Sequence, residues 1–579
     1  MTNPYAQWLS QVPRHDPTPE QVAETSDLPD RFPSFSVLVP TWNTREDLLR
    51  ACLDSVLAQS YPHWQLIVAD DASDQPHVAQ VLLEYAARDD RVEVVFCPEH
   101  GHISATTNAA LARATRMYVA FLDHDDLLDQ HALYHMARAI QAHPDADILY
   151  SDEDIIADSG APLGAHHKSA FNQDLLYAQN YICHLAVYKR SLVEAVGGLR
   201  LGVEGSQDHD LLLRCLPLVK PENILHLPRV LYHWRRVVGS VALSTDAKPY
   251  TTAAGVKALR DHFEDRDGVV VDTGAVPNTY RITWPLPDPR PLVSVVIPTK
   301  DRQDLIRRCL DSLLGSTDYT FDVVLVDNGT TDPVALNYLA AMAAQDVRVR
   351  ILRKPGPFNF SALCNAGARE VTGELLLLLN NDIEIISANW MEEMARQAFR
   401  PEVGCVGAKL LYPDGRVQHG GVLLGVGGIA NHAHHACYRK QSGYASKLIN
   451  HQNFLAVTGA CLMLRRGLFN LLGGLDEVNL PVAYNDIDLC LRAWQLGYWN
   501  VWTPYAELIH RASASRGQES PERAEQFARE SAYMRDKWGT QIADDPFYHP
   551  YFDHGKGSYA LADPATLTEP PKIYRSSTP

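Results

Sequence analysis

The stretch SVLVPTWNTREDLLRACLDSVL, residues 36–57, returns later in the chain as SVVIPTKDRQDLIRRCLDSLL at 294–314. Thr41 falls on Thr299, 258 positions on; after a one-residue gap Asp54 falls on Asp311 and the spacing settles at 257. Asp70 then matches Asp327, Asn108 matches Asn365 and Asp125 matches Asp382. Farther along the spacing is 278, with Asp208 opposite Asp486 and Asp210 opposite Asp488, while His233 meets His510 at 277. A period this long exceeds the roughly 20–50 residues of a solenoid unit and marks a duplicated domain. The second copy is the longer by about twenty residues between these landmarks, and QHGGVLLGVGGIANHAHH (418–435) is the candidate insertion.

Each copy opens with the same pattern. FSVLVP, WQLIVAD, VEVVFC and YVAFLD are short Val- and Ile-rich runs that predict buried strands, and VSVVIP, FDVVLVD, VRILR and ELLLLLN repeat them. Between the first two, Leu48, Leu49, Cys52, Leu53, Val56 and Leu57 mark one face of a helix. Strand–helix alternation implies an α/β fold with a mainly parallel sheet covered on both faces. Ligands on such sheets bind beyond the carboxyl ends of the strands. Polar residues fall at those ends in both copies: Pro40–Thr41, Asp70–Asp71 and Asp123–Asp125, then Pro298–Thr299, Asp327–Asn328 and Asn380–Asp382. One crevice per copy follows.

The run YVAFLDHDDLLD (118–129) sharpens the point, because a buried strand there ends in Asp123, Asp125 and Asp126. Like charges this close resist leaving water unless something positive sits among them.

At 579 residues the chain predicts several domains. It is 46% hydrophobic and 21% charged, as soluble globular proteins are, and has no run of about 18 apolar residues. MTNPYAQWLSQVPRHDPTPE lacks the basic start and apolar core of a secretory signal. Ten scattered cysteines without a CxxC pair fit reduced core thiols and a cytoplasmic setting. The net charge of −18 argues against nucleic acid as a partner, yet leaves room for an anionic ligand held through a metal ion.

With these motifs in place, both halves resemble family-two glycosyltransferases of the GT-A fold, the Rossmann-like nucleotide-diphospho-sugar transferase architecture. The signs are V-x-V-P-T, the strand-end D-[DN]-x-[ST], the D-x-D position and a later D-x-D-L-x-L-R. FNFSALCNAGA (358–368), LLNNDIEII (378–386), VTGACLMLRR (457–466), YNDIDLCLR (484–492) and LIHRASASRG (508–517) make the second half the closer match to bacterial O-antigen and polysaccharide enzymes. SDEDII (151–156), NYICHLAVYKRSLVEAVGGLR (180–200), GSQDHDLLLR (205–214) and VLYHWR (230–235) recur in the same group. The resemblance covers roughly residues 33–540.

The resemblance implies nucleotide-sugar donors, Mg2+ or Mn2+ as cofactor, and inversion at the anomeric centre. Asp125 and Asp382 become metal ligands, joined by His233 and His510, with Asp123 nearer the ribose or a metal-bound water and Asn380 in its place in the second copy. Asp208 and Asp486 match the catalytic base, and an N-cap is the alternative use for each; Asp210 and Asp488 read as caps or charge partners. Pro40, Thr41, Asp70, Asp71, Pro298, Thr299, Asp327 and Asn328 would bind the donor. Arg516 would meet the diphosphate, with Arg235 or Arg236 and Ser240 serving the first copy. The cluster Asn431, His432, His434 and His435 lacks a distant zinc partner and reads as a loop over the acceptor cleft. Trp42, Trp64, Tyr484, Trp494, Trp499 and Trp502 could stack on sugars, though aromatics in such places mostly pack the core.

The expected organisation is an extension over 1–32, one transferase domain over 33–262, a linker over 263–291, a second domain over 292–545 and a tail over 546–579 lying along the second domain. The expected activity is bifunctional extension of a bacterial surface glycan, with a glycan or lipid-linked glycan acceptor and peripheral contact with the inner membrane or export machinery. Rhamnose is a family-level expectation for the sugar. One active domain beside an acceptor-binding domain is the alternative. A sugar-nucleotide pyrophosphorylase would want a glycine-rich basic loop where VPTWNTRED stands, and a non-catalytic carbohydrate scaffold would have no use for duplicated acids.

Overall fold

A computed structural model describes residues 3–27, 32–237, 249–511 and 520–575. Each copy builds one large sheet, and the strand orders agree. In the first, Val92–Phe96, Trp64–Asp70, Phe35–Thr41 and Tyr118–Phe121 run parallel; Ala186–Lys189 is antiparallel, and Ile148–Ala157 and Ile224–Arg236 complete the row. In the second, Val349–Arg353, Phe321–Asp327, Val293–Thr299, Leu375–Leu379, Cys461–Arg465, Val403–Leu411 and Trp499–His510 repeat that row. The duplicated α/β fold read from the sequence is the fold observed.

The central strands are apolar because both faces are covered. All seven residues of Phe35–Thr41 and of Val293–Thr299 are buried, as are all five leucines of Leu375–Leu379. Helix Glu46–Leu57 buries Leu48, Leu49, Cys52, Leu53 and Val56, and helix Gln303–Ser316 buries Leu305, Ile306, Cys309, Leu310 and Leu313. Each such side chain contributes about 1.5–3 kcal/mol. All ten cysteines are free thiols.

Two segments are more structured than their composition suggests. The stretch 263–291, expected as a linker, carries a hairpin of Val270–Thr273 with Tyr280–Thr283. Phe263, Val271, Tyr280, Ile282 and Trp284 close around Tyr177 and Leu213 of the first copy. The alternation Tyr280, Ile282, Trp284 is the strand signal that the prolines around it obscure. The tail, expected along the second copy, bridges both. Gly427 N donates to His554 O (2.7 Å) and Tyr559 stacks on His434 (4.5 Å) on one side. On the other, Ala170 N donates to Pro546 O (2.9 Å), and Tyr574 and Arg575 pair with His226 and Leu225 as an edge strand. Helix Pro4–Leu9 closes over this tail, Trp8 donating to Ala562 O at 2.7 Å.

The copies meet through buried polar contacts. Asn172 Nδ2 donates to Asn453 O, and Asn453 N returns a bond to Asn172 Oδ1, each at 2.9 Å. Arg400 pairs with Asp174 at 2.5 Å, the side chains only 4% and 3% exposed, and its guanidinium lies 4.3 Å from the Trp284 ring. A paired buried charge tolerates loss of its partner badly, because the remaining ion stays out of water. Arg400→Ala is expected to destabilise the chain by roughly 3–5 kcal/mol. Arg400→Met combined with Asp174→Leu, which removes both charges, should recover much of that loss in denaturant unfolding. If the single variant unfolds at the parental midpoint, the ion pair does not hold the copies together.

Candidate active sites

Pairing register sets Thr41 beside Asp70 and Thr299 beside Asp327, so the polar ends of neighbouring strands lie level. In both copies the threonine carbonyl accepts from the residue after the acid: Asp71 N to Thr41 O and Asn328 N to Thr299 O, each 2.9 Å. Asp70 and Asp327 then cap the turn beyond, accepting from Ser73 N (3.3 Å) and Thr330 N (2.7 Å). Asp71 accepts from Gly101 N (2.7 Å) and faces His100 (2.8 Å), whereas Asn328 donates to Lys354 O (3.0 Å). Asp70 Oδ1 and Asn328 Oδ1 are buried acceptors with no hydrogen-bond partner among the described residues. Trp42, half exposed at the rim, stacks on His100 at 4.5 Å. Trp64, Trp499 and Trp502 are buried core residues.

In the first copy one cavity is lined by Pro40, Asp123, Asn180, His184 and Asp208, so the strand-end acid and the expected base share a crevice. Burial pushes the Asp125 carboxyl up, and its neighbour Asp123 adds to that. Burial also lifts Asp126 well above its ordinary value, and it accepts from Tyr232 Oη and Arg235 N, both at 2.6 Å. Asp126 is therefore a brace. Arg235, expected near the diphosphate, spends its guanidinium on the main-chain oxygens of Asp125 (3.0 Å) and Asp158 (2.8 Å). Among the described residues no lysine or arginine lies within ion-pair distance of Asp123 or Asp125; their nearest ring nitrogens are His184 at 3.8 Å and His124 at 3.9 Å.

The second copy is resolved more sharply by its histidine. Gln418 Oε1 accepts from His510 Nδ1 at 2.6 Å while Gln418 Nε2 donates to His510 O at 3.3 Å. Both contacts are satisfied in one amide orientation only, which puts the imidazole proton on Nδ1. His510 Nε2 then offers a lone pair, yet it lies 3.1 Å from Asp382 Oδ1. Two acceptors this close call for a cation between them, a proton or a metal. The set of one carboxylate and one imidazole oriented by an outer hydrogen bond suits a divalent ion. Asn380, where the first copy has Asp123, sits 3.4 Å from the same ring nitrogen.

His233 is held differently: its Nδ1 meets Asp154 at 2.7 Å, and Tyr5 donates to the same carboxylate at 3.1 Å. Burial opposes charge on His233, but Asp154 outweighs it and lifts the imidazole above its ordinary pKa. Here too Nε2 is the nitrogen left for the crevice. No direct contact joins His233 to Asp125. His233 pairs with Leu127 and His510 with Ile383, so by strand register Asp126, rather than Asp125, stands level with Asp382.

The glycosyl transferase family 2 profile matches residues 36–197 and 294–472, one match in each copy. The chain belongs to this family. A protein of Sinorhizobium fredii, y4gI, is 47% identical over 92% of this chain, and the O-antigen biosynthesis protein RfbC of Myxococcus xanthus is 38% identical over 90%. The chain spans 59% and 40% of their respective lengths. Solved structures with similarity include S. aureus TarS 1-349 in complex with UDP-GlcNAc, 20% identical over 40% of this chain and 67% of that one, TM-score 0.34. Another is the Pyrobaculum calidifontis mannosyltransferase PcManGT in complex with GDP-Man and Mn2+, 20% identical over 44% of this chain and 67% of that one, TM-score 0.33.

Within this family 2 chain the two expected bases differ in support. Asp208 Oδ2 accepts from Asn180 Nδ2 at 2.7 Å. Asp486 accepts from Gly459 N (2.6 Å) and Ile487 N (2.9 Å), and burial raises its carboxyl above the ordinary range despite them. Asp210 and Asp488 are charge partners: Asp210 pairs with Arg200 and Arg214, and Asp488 with Arg492 and Lys537. Arg516 and Ser240 lie outside the described residues. The 431–435 histidines part company, His434 under Tyr559 and His435 bonded to Tyr412 (3.0 Å).

Sequence reading passed over the acids of SDEDII. Asp152 is fully buried and gathers Lys168 N (3.0 Å), His226 Nε2 (2.9 Å), His167 Nδ1 (3.2 Å) and, from the tail, His549 Nε2 (2.7 Å). Asp152, His167 and His549 have a metal site's composition. Yet His549 Nδ1 accepts from Tyr551 N at 3.0 Å, so in the neutral ring Nε2 carries the proton and faces Asp152 at 2.7 Å as a close polar contact rather than an aligned hydrogen bond. Three N–H groups bond the carboxylate and the proton-bearing Nε2 of His549 closes its fourth side, so the knot is a brace. The signal available in sequence was a pair of histidines, 167 and 549, with nothing in their spacing to join them.

Gln418→Ala removes the bond that fixes the His510 tautomer while leaving both ligands. It is expected to weaken Mn2+ binding at the second site by roughly 10–100-fold, with His510→Ala at least as damaging. Titration of Mn2+ by paramagnetic relaxation would read both. Unchanged affinity in Gln418→Ala would remove the case for Asp382–His510 as a metal pair.

Proposed function

We propose that both crevices transfer sugars from nucleoside-diphosphate donors, with inversion, onto a growing bacterial surface glycan of the O-antigen type, one linkage per copy. The observation that carries this reading is a pattern built twice: Asp70 and Asp71 or Asp327 and Asn328 at one strand end, the Asp125–Asp126 pair or Asp382 after another, and Asp208 or Asp486 in the first turn of a later helix. The acceptor would be a glycan or a lipid-linked glycan. No helix among the described residues is long and apolar enough to cross a membrane, so contact with the inner face of a membrane would be peripheral.

Each residue has a task in this reading. The strand-end acids and amide hold the nucleoside through the acceptor atoms that the protein leaves unpaired. Asp382 with His510, and Asp125 with His233 Nε2, would hold Mg2+ or Mn2+, which when bound offsets negative charge on the departing diphosphate. Asp208 and Asp486 take the proton from the attacking hydroxyl as its oxygen closes on the anomeric carbon. Because the acceptor attacks opposite the leaving group, one displacement inverts the centre and needs no covalent sugar–enzyme intermediate. Rhamnose fits a glycan of this class as the sugar.

A second reading has its own support. Asp382 and His510 already face one another, whereas His233 is tied to Asp154 and shows no contact with Asp125. The first copy would then bind acceptor while the second transfers.

Asp208→Asn and Asp486→Asn separate these readings, since each amide keeps the shape and loses the proton acceptor. Each is expected to slow its own transfer by roughly 10²–10⁴-fold, to keep nucleotide affinity, and to stall synthesis after a different single addition. Normal polymer growth in Asp208→Asn would make the first copy a binding module. The base works deprotonated, and burial raises Asp486, so the second transfer should fail as pH drops through a value above that of an ordinary carboxylate. The acid limb of kcat/KM, measured in the Asp208→Asn background, reports it.

A further inference from the structure

The histidine-bearing insertion of the second copy lies against its candidate metal pair. Strands Val417–His419, Val422–Leu424 and Ala430–His432 bring His419 and His432 together, Nδ1 to Nδ1 at 2.9 Å. Gln418, next in the chain to His419, is the residue that fixes His510. Burial keeps both imidazoles neutral, His432 down to about 4, and the nearby His510 contributes to each shift. Two neutral rings in Nδ1–Nδ1 contact share one proton there, so two arrangements exist.

His419 decides between them. It is fully buried, and its Nε2 has no hydrogen-bond partner among the described residues. If His432 were the donor, His419 Nε2 would be a buried N–H with nothing to bond. If His419 is the donor, its Nε2 is an unused acceptor, the less costly and commoner defect. His432 Nδ1 then accepts, its proton sits on Nε2, and His432, which is partly exposed, offers that N–H outward.

We infer that His432 Nε2–H donates to the terminal phosphate of the nucleoside diphosphate in the second crevice, stabilising it as the leaving group. The inference rests on the second crevice being the donor site proposed above. During transfer the acceptor oxygen bonds to the anomeric carbon, the carbon–phosphate-oxygen bond breaks, and its electron pair stays on that phosphate. The acceptor proton goes to Asp486. Charge thus develops where a fixed, neutral donor in a water-poor site acts most strongly. The first copy has a strand, Pro162–His166, in the place of Val417–His419, but among the described residues no counterpart of the Val422–Leu424 and Ala430–His432 pair that carries His432, so the contribution belongs to the second transfer alone.

Calorimetry on the full chain with Mg2+ and UDP, GDP or dTDP identifies the diphosphate whose binding Asp382→Ala abolishes. For that nucleotide, His432→Ala should weaken diphosphate binding by roughly 10–100-fold and leave the matching monophosphate unchanged. His432→Gln, which keeps an N–H donor, should recover most of the loss, with thermal melts showing both variants folded. Parental diphosphate affinity in His432→Ala, or an equal loss for the monophosphate, overturns the inference while the donor site stands. Absence of any diphosphate site sensitive to Asp382→Ala overturns the donor-site reading, and the inference with it.

Discussion

Parallel strands deliver their last residues to one side, and the strand-end groups of both candidate sites depend on that. The register that sets Thr41 level with Asp70 repeats at Thr299 and Asp327. It places side chains from separate segments around a single crevice without any of them being near neighbours in sequence. The apolar strands beneath have no freedom to slip: a shift of one residue would turn every buried side chain of Phe35–Thr41 to the wrong face. Packing of the core and geometry of the crevice are therefore one constraint. The cost falls on the acids, which arrive crowded and partly dry, and their raised pKa values record it.

The two crevices are also fixed relative to one another. The tail passes from the second copy to an edge strand of the first, His549 fills the last place around Asp152, and Arg400 is sealed against Asp174. The last two contacts partner buried charges that only opening the molecule would return to water. On the function proposed above, a product leaving one crevice would meet the other at a set separation, as alternate additions to one chain would require.

Much of this was legible in the sequence, and the failures share a cause. The duplicated sheet followed from periodicity and spacing, because burial on both faces leaves a continuous apolar run. The strand-end acids followed from where those runs stop. Arg235, expected with Arg236 as the alternative to meet the diphosphate, braces main-chain oxygens instead, and Asp126 had no expected role, since whether a polar side chain faces the crevice or braces the backbone depends on a half-turn of the chain. The hairpin 270–283 was hidden by prolines beside it, and the Asp152 knot unites residues nearly four hundred positions apart. Long-range satisfaction of a buried charge leaves no local pattern to read.

Duplication followed by divergence shows in how one imidazole is held. Both copies fix the histidine opposite the strand-end acids through Nδ1, leaving Nε2 for the crevice, but one uses a carboxylate and the other an amide. The carboxylate of Asp154 favours a charged ring and raises its pKa, so His233 must give up a proton more readily held before its lone pair is available. Gln418 imposes the same tautomer without adding charge, and His510 is ready for a cation as it stands. The second copy carries that amide on Val417–His419, the strand that answers to Pro162–His166 of the first, with the His419–His432 pair beside it. A segment that looks from sequence like a loop over the cleft thus supplies the electrostatic setting of the candidate metal pair, and the two pockets, alike in fold, are not alike in the proton chemistry they start from.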